Sequence, residues 1–228
     1  MGKELNLPRR DKDGNCYLSH SQIKTWKKSK REYIRQYFLG EDNDNKGLQK
    51  FGDFGHLVGE AFENNDFSAF EPDEVEFLLT IPQYDEFERK IRLDMDGFYL
   101  LGYIDTSSMP KDYGNGQGEH VRRIADYKTG DIIKRGEEYS SDDYLQVEIY
   151  AAALEQEFGV IPEDCKVYLI GRSGNAFKNE ALALTKEFVT ISRDSSPERI
   201  QTVKDEVQAI AEEISEYYEA FLKVNQII

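Results

Sequence analysis

The sequence predicts an α/β protein in which a central mixed β-sheet is flanked by α-helices. A two-residue turn at Asp96-Gly97 joins two strand patterns, helix and strand patterns alternate after it, and a long helical pattern follows at the end. The chain has 228 residues, of which 39% are hydrophobic and 12% aromatic, enough for one well-buried core. We therefore expect a single domain over 1–228, with a basic helical region at 1–50 and a C-terminal helix at 195–228.

Two helices are predicted in the first third of the sequence. Residues 18–39 place aromatic and aliphatic side chains at helical spacing, and Ser19 or Ser21 can cap the N-terminus of this helix. A second helix is predicted over 52–64. Its apolar side is formed by Phe54, Leu57, Val58, Ala61 and Phe62.

Strand and helix patterns alternate in the remaining sequence. Strands are predicted at 86–95, 98–106, 121–129, 166–173 and 188–193. Helices are predicted at 143–158, where Gly159 ends the pattern, and from 195 to about 222. The glycine-rich stretch 112–119 predicts a loop before the third strand.

The net charge of −15 is unevenly distributed. Residues 1–35 carry ten Lys or Arg against four acidic residues, a balance of +6, and the rest of the chain carries −21. This acidity counts against unspecific coating of DNA but leaves room for a local basic groove. Candidate phosphate-binding residues in the first predicted helix are Lys24, Lys27, Lys28, Lys30 and Arg31. The same residues could instead form only a solvated helix face.

The two cysteines, Cys16 and Cys165, are far apart and have no CxxC spacing. They cannot form a four-thiolate zinc or iron–sulfur site, and we expect free thiols in a reducing compartment. No run of 18 apolar residues predicts a transmembrane helix, and the first residues lack the apolar segment of a signal peptide. These features predict a cytoplasmic protein with no membrane partner.

Acidic residues at the ends of two predicted strands are the strongest chemical signal. Asp105 ends the apolar run GYID, where a lone carboxylate would be costly to bury. Asp126 and Lys128 end the run IADYK. Residues i and i+2 of a strand lie on one face, so these two side chains project together while Tyr127 faces the other way. If the neighbouring strands pair, Asp105 lies beside them.

Two carboxylates at one sheet edge favour a hard divalent cation, Mg²⁺ or Mn²⁺, which offsets their repulsion and binds carboxylate and carbonyl oxygens. Such a cation activates water and stabilises charge on a phosphate. Lys128 could orient the attacking water or neutralise the developing charge. This chemistry is that of phosphodiester hydrolysis. The alternative is a plain salt bridge between Asp126 and Lys128 at a strand end.

Three further residues are candidates for the same centre. His56 follows Gly55 at the start of the second predicted helix and could supply a nitrogen ligand, although a lone histidine is more often a structural or surface residue. Gln146 and Tyr150 are four residues apart, hence on one helix face, and could contact a DNA phosphate. Otherwise Gln146 is simply exposed and Tyr150 packs on the sheet.

These motifs, in this order, resemble a known family. The chain is similar to the RecB-like branch of the PD-(D/E)XK nuclease superfamily in Gly-His at 55–56, Gly-x-x-Asp at 102–105, Asp-Tyr-Lys-Thr-Gly at 126–130 and Gln-x-x-x-Tyr at 146–150. The opening SHSQIKTWKKSKREYIRQYFLG resembles the N-terminal helix of that branch. The resemblance covers residues 18–175. It implies a restriction-endonuclease-like core and a divalent-metal-dependent DNA nuclease.

The resemblance also implies a role for each matching residue. The implied metal ligands are the side chains of His56, Asp105 and Asp126 and the backbone carbonyl of Tyr127. The implied catalytic set is Asp105, Asp126, Lys128, Gln146 and Tyr150, of which the last two would also contact the DNA backbone. Glu60 could support His56. Several members bind an iron–sulfur cluster through four cysteines, so this chain, with two, should resemble the cluster-free members of phages and mobile elements.

From the resemblance we expect an exonuclease in recombination, repair or phage DNA processing, in a bacterial or phage-infected cell. Its partners would be DNA and, as a further candidate, a recombination or replication protein. Two alternatives stay open: a DNA-binding or scaffold protein that keeps the fold without cleavage, and a nuclease for RNA, whose active-site residues would look the same. HExxH and GxxxxGK[ST] are absent from the sequence, which counts against a metalloprotease and a nucleotide-driven motor.

Overall fold

The computed structural model describes residues 5–41, 46–108 and 122–225, so the predicted loop at 112–119 lies outside it. The described strands are β1 (Tyr17–Leu18), β2 (Glu86–Met95), β3 (Phe98–Ser108), β4 (Arg123–Gly130), β5 (Asp164–Ser173) and β6 (Ala183–Ser192). The described α-helices are α1 (His20–Lys28), α2 (Lys30–Tyr33), α3 (Lys46–Asn64), α4 (Pro72–Leu78), α5 (Ile132–Ser140), α6 (Gln146–Phe158) and α7 (Pro197–Val224). The strands form one mixed sheet between helices, which confirms the predicted α/β class.

Strand β3 has three partner strands. Antiparallel β2 covers one of its edges, while the other edge is shared by parallel β1 at Tyr99 and Leu100 and antiparallel β4 at 106–108. Strand β5 is parallel to β4, and β6 is antiparallel to β5. Because β4 stays paired with β5 as far as Gly130 but leaves β3 after three residue pairs, the sheet opens between β3 and β4. The candidate functional residues lie at this opening.

Two hydrophobic cores lie on opposite faces of the sheet. The first joins α1, α6 and α7 to Ile124 and Val167. The second joins α3 and α4 to the next residues along the same strands, Ala125 and Tyr168. Successive strand residues point to opposite faces, which is why these neighbours enter different cores. No helix in the described ranges is both long and apolar enough to span a membrane.

The hairpin between β2 and β3 turns at Asp96 and Gly97, as predicted. Met95 pairs with Phe98, and Gly97 has a φ of 84°, a left-handed conformation that glycine adopts without strain. A two-residue turn fixes the register of the hairpin, because each step away from it adds one residue to both strands.

The single helix predicted over 18–39 is wrong. Ser29 has extended backbone, with φ −163° and ψ 101°, and separates α1 from α2, which a π-helical turn follows at Ile34–Phe38. The Ser29 side chain accepts a hydrogen bond from the backbone N of Glu32 and caps α2. Ser19 occupies the N-cap position of α1 but makes no side-chain capping bond. The predicted helix is therefore divided at Ser29, where α1 ends and the Ser29 side chain caps the start of α2.

Helix α3 is longer than predicted, since it includes residues from Lys46 onward instead of starting at 52. Gly55 and His56 consequently lie in its middle and not in its first turns. Its apolar side contains Val58, Ala61 and Phe62, which are buried, and Phe54, which is partly buried. Leu57 lies at the margin of this face and is 38% exposed, so its predicted place in the core is wrong.

Candidate active site

Asp126 of β4 has no exposed surface and lies at the centre of the candidate site. Lys128 Nζ is 2.5 Å from Asp126 Oδ2, and the Lys128 side chain is one quarter exposed. Between them, Tyr127 packs in the second core, with its ring centroid 4.6 Å from that of Phe62. The structure thus confirms that Asp126 and Lys128 share one face of the strand and that Tyr127 occupies the other.

Three polar side chains at the start of α6 and just before it surround Asp126. Gln146 Nε2 donates to Asp126 Oδ1 at 2.8 Å and to Tyr150 Oη at 2.6 Å. Tyr144 Oη lies 3.0 Å from Asp126 Oδ2 and 3.0 Å from Gln146 Oε1. Burial, followed by the charge of Asp126, raises the pKa of Tyr144 and of Tyr150 well above the ordinary value, so both phenols stay protonated.

Of these three residues, Gln146 and Tyr150 were predicted and Tyr144 was not. The helix predicted over 143–158 includes Tyr144, whereas α6 begins at Gln146. Gln146 contacts Asp126 directly, whereas Tyr150, which is buried, contacts Gln146. Their contact with a DNA phosphate stays a prediction.

Gly102 of β3 provides the space that Tyr150 occupies. A Cβ atom at this position would lie 2.9 Å from Tyr150 Cε1, closer than real side chains approach. A larger residue at this position would force the Tyr150 ring or the strand to shift. The glycine in the run GYID is therefore explained by the packing of α6 against β3.

Asp105 lies beside this network, as the sequence predicted. Its Oδ2 accepts a hydrogen bond from the backbone N of Tyr127 at 2.6 Å, at the opening where β4 has left β3. Burial, and then the negative charge of Asp126, raise the pKa of Asp105 to about 8, and the ammonium of Lys128 offsets only part of this. Asp105 therefore holds a proton at neutral pH when no cation is bound.

Lys128 is the counter-charge of Asp126, and also of Asp105 when that carboxyl group is ionised. Burial opposes its charged form, but the carboxylates of Asp126 and Asp105 outweigh this effect and raise the pKa of the Lys128 ammonium. The ammonium is consequently positive over the whole physiological pH range.

Glu88 of β2 faces Asp105 across the hairpin and was not predicted. The flanking pairs are Phe87 with Thr106 and Arg89 with Ile104, so the register places Glu88 opposite Asp105. Counting outward from the two-residue turn at 96–97 gives this position directly, so the sequence does contain a signal for it.

The alternation of side chains switches faces at Glu88. Phe87 packs against the second core, whereas Arg89 lies over the ring of Phe158, which packs against the first. Glu88 itself has a φ of 49°, a left-handed conformation that costs a residue with a side chain free energy. Burial, and then the charge of Glu63, raise the pKa of Glu88. A strained backbone thus holds a carboxylate next to Asp105.

A cleft of about 710 Å³ opens in front of these residues. Strands β2, β3 and β4 contribute Glu88, Asp105 and Lys128 to its wall, and α3 contributes His56, Glu60 and Glu63. His56 and Asp105 therefore share one cleft, as predicted. Glu60 lines it too, one helical turn from His56.

The described residues contain no group of three or more His, Cys, Asp or Glu side chains arranged to hold a metal ion. One contact bears directly on this: the Lys128 ammonium lies on Asp126 Oδ2, so a cation at that oxygen would have to replace it. The chemistry of the donors nevertheless suits a divalent cation. Oxygen atoms of Asp105 and Glu88 and the imidazole of His56 line one cleft, and carboxyl groups with a raised pKa release protons to a cation.

The predicted DNA-binding residues fall into two groups. Lys24, Lys27 and Lys28 line a second cleft, beside α1. Lys30 instead pairs with Glu213 of α7 and lies 5.4 Å from the centroid of the Trp26 ring. The fifth predicted residue, Arg31, is exposed on α2.

Arg193, at the end of β6, holds the segment that carries Tyr144. It donates to the backbone carbonyls of Tyr139, Ser141 and Tyr144, and its Nη2 is 2.5 Å from Glu148 Oε1. Both partners of this ion pair are buried. No motif marks Arg193 in the sequence, because its partners are brought to it only by the tertiary fold.

Comparisons with known proteins gave no matching family model and no matching curated protein. Several solved structures are similar to the chain, including the following two. One, from Eubacterium rectale and described as "Putative exonuclease", is 13% identical with a TM-score of 0.49, over 90% of this chain and 82% of its own. The other, SSO0001, is 12% identical with a TM-score of 0.38, over 88% of this chain and 78% of its own.

Proposed function

We propose that this protein is a divalent-metal-dependent DNA nuclease of the RecB-like PD-(D/E)XK type. One observation carries the proposal: Asp126, fully buried, is held by Lys128, Gln146 and Tyr144 beside Asp105, a second carboxyl group, whose pKa is raised. A structural salt bridge does not need a second carboxyl group with a raised pKa at its side. Perturbed carboxyl groups at the wall of a cleft are typical of catalytic sites.

The cation, Mg²⁺ or Mn²⁺, would be held by His56, Asp105, Asp126 and the carbonyl of Tyr127. When bound, it supplies Lewis-acid activation of water and charge stabilisation at the phosphate. The chain's own contribution is positioning. Gln146 and Tyr144 orient the Asp126 carboxylate through neutral hydrogen bonds, and the permanently charged Lys128 offsets negative charge that develops on the phosphate.

Nucleic acid would reach the site along the basic residues of α1, of which Lys24, Lys27 and Lys28 are best placed. Binding by Lys30 and Arg31 stays a prediction. The acidic remainder of the chain repels polyanions, so a recombination or replication protein, or self-assembly, would help to load DNA. An exonuclease in recombination, repair or phage DNA processing is the role we propose.

The test is a cleavage assay on linear double-stranded, single-stranded and circular DNA with Mg²⁺, with Mn²⁺ and with EDTA. We expect cleavage of linear DNA that EDTA stops and that Asp126→Asn and Lys128→Met abolish. The chain offers a matched control, because Asp164 and Lys166 form the same Asp-x-Lys pair on β5, 2.7 Å apart. Asp164→Asn and Lys166→Met should leave cleavage intact.

The other outcomes of this assay are also informative. Equal loss with the control variants would contradict the assignment of Asp126 and Lys128. Tight binding of DNA without cleavage by any metal would favour the scaffold alternative. Cleavage of RNA alone would favour the RNA nuclease.

A further inference from the structure

A second cleft, of about 550 Å³, lies between α1, α5 and the segment that leads into α6. Its cations are Lys24, Lys27, Lys28 and Arg135, and its carboxylates are Glu138 and Asp143. The cations exceed the carboxylates by two charges, on a chain whose net charge is −15. Such a local excess in a concave surface attracts phosphate groups.

Arg135 connects this second cleft to the candidate active site, since it lines the walls of both. The connection depends on Gly130, where a Cβ atom would lie 2.8 Å from Arg135 Cγ. Tyr144 makes a second connection, because it lines the second cleft and also lies 3.0 Å from Asp126 Oδ2. A strand of nucleic acid whose phosphate is at Lys128 can therefore continue past Arg135 into the second cleft.

The inner wall of the second cleft is polar without adding charge. His20 lines it, with its ring centroid 5.4 Å from that of Tyr144. Burial, and then the charges of Lys128 and Lys24, lower the pKa of His20 to about 3, so its imidazole is neutral at physiological pH. A neutral imidazole can donate a hydrogen bond to a phosphate oxygen.

Two of the three lysines in the second cleft form ion pairs with acidic side chains. Lys24 pairs with Glu138, which also pairs with Arg135, and Lys27 pairs with Asp143 and Glu206. Lys28 is exposed, and the described part of the chain contains no ion pair for it. Lys28 is thus the cation of this cleft that is most readily available to a ligand.

We propose that the second cleft binds a backbone phosphate of the strand being cut, next to the phosphate at the reaction centre, through Lys28 and Arg135. This subsite rests on the proposed nuclease function for its position relative to the cut, but its binding can be measured without cleavage. Lys28 lines the second cleft, whereas Lys30, two residues further along the chain, does not line it and pairs with Glu213.

The experiment measures binding of a fluorescent single-stranded oligothymidylate in EDTA by anisotropy, over a series of NaCl concentrations. The plot of log Kobs against log salt has a negative slope. Removal of one phosphate-binding cation should make this plot shallower, by about 0.7 in slope. We expect this change for Lys28→Glu and for Arg135→Ala, with binding about 10-fold weaker at fixed salt. Lys223→Glu, on the exposed last turn of α7, should keep the wild-type slope. Circular dichroism confirms that each variant is folded, and Lys28→Glu, at an exposed position, carries the test alone if Arg135→Ala does not fold.

A set of oligonucleotides, each with one phosphate replaced by a neutral methylphosphonate, locates the bound phosphate. One replacement should weaken binding to the wild type and have no further effect on Arg135→Ala, since the two changes remove the same interaction. Additive effects at every position would overturn the proposal, as would an equal loss in Lys223→Glu or a wild type that does not bind. A wild type that binds with the expected slope yet cuts nothing with any metal would end the nuclease proposal and leave this subsite supported.

Discussion

Lys128 Nζ lies 2.5 Å from an oxygen of Asp126, a carboxylate with no exposed surface. Removal of the ammonium leaves a buried charge without a counter-ion, which costs about 3–5 kcal/mol when the pair is fully buried. We expect Lys128→Met to lower the free energy of unfolding by about 3 kcal/mol, since Lys128 is partly exposed. The double variant Asp126→Asn/Lys128→Met should recover most of the lost free energy of unfolding, because it also removes the buried charge, but it should stay inactive.

Urea denaturation of the single and double variants measures this effect. The corresponding changes at Asp164 and Lys166, each about one quarter exposed, should cost about 1 kcal/mol or less. A double variant no more stable than Lys128→Met would contradict the buried-charge explanation.

The raised pKa of Asp105 makes stability depend on pH. Its pKa is about 8 in the folded chain against an ordinary value of 3.8. Between pH 3.8 and about 8, the folded chain therefore holds a proton that the unfolded chain has released. The stability that Asp105 contributes is therefore complete below about pH 4 and is lost as the pH rises to about 8. Thermal unfolding in EDTA should show a decrease of Tm over this range that is smaller in Asp105→Asn. Parallel Tm profiles for the two proteins would show that Asp105 is not the group responsible.

Glu88 combines backbone strain with a position opposite Asp105. Glu88→Gly should raise the free energy of unfolding by about 1 kcal/mol, because glycine adopts the φ of 49° without strain. The same change should weaken Mn²⁺ binding, measured by calorimetry, and slow cleavage, because it removes a carboxylate from the cleft wall. Lys186, with a φ of 57° on β6, is the matched control. Lys186→Gly should relieve similar strain with no effect on Mn²⁺ binding, and unchanged Mn²⁺ binding in Glu88→Gly would exclude Glu88 from the site.

Arg193 is expected to act as a positioning residue through three backbone carbonyls and Glu148. Arg193→Lys keeps the charge but cannot make all of these bonds, and hydrogen bonds to charged groups contribute about 1.5–3 kcal/mol each. We expect a loss of at least about 2 kcal/mol in urea denaturation. Arg199 approaches the same Glu148 oxygen at 3.7 Å, so Arg199→Lys is the control and should cost less. Equal losses would show that the carbonyl contacts of Arg193 do not matter.

Local patterns in the sequence were sufficient for β2 to β5 and for part of the site, whereas β1 was not predicted and β6 begins at Ala183 and not at 188. The two-residue turn, the alternation around Tyr127 and the spacing of Gln146 and Tyr150 depend on neighbours in the sequence, and the structure confirms them. Helix α5 was missed because it is short, nine residues, and buries only Tyr139. The sequence signal for its start was Asp131, whose side chain caps it.

The remaining site residues depend on tertiary structure. Tyr144 reaches Asp126 from the segment before α6, and Arg193, directly after β6, holds that segment in place. Neither fact can be read from spacing alone. Glu88 differs, because the register of the hairpin already places it opposite Asp105. The left-handed backbone conformation of Glu88 could not be predicted in the same way.

The position of Arg193 also determines when the proposed activity can arise during synthesis of the chain. The carbonyls that it holds belong to residues 139–144, and these precede it by about 50 residues in the chain. A nascent chain still attached to the ribosome lacks this contact until β6 has left the exit tunnel. Tyr144 is then not fixed at Asp126, even though every predicted catalytic residue has already been translated. We therefore expect nuclease activity to appear only after Arg193 has left the exit tunnel, and not as soon as the predicted catalytic residues have done so.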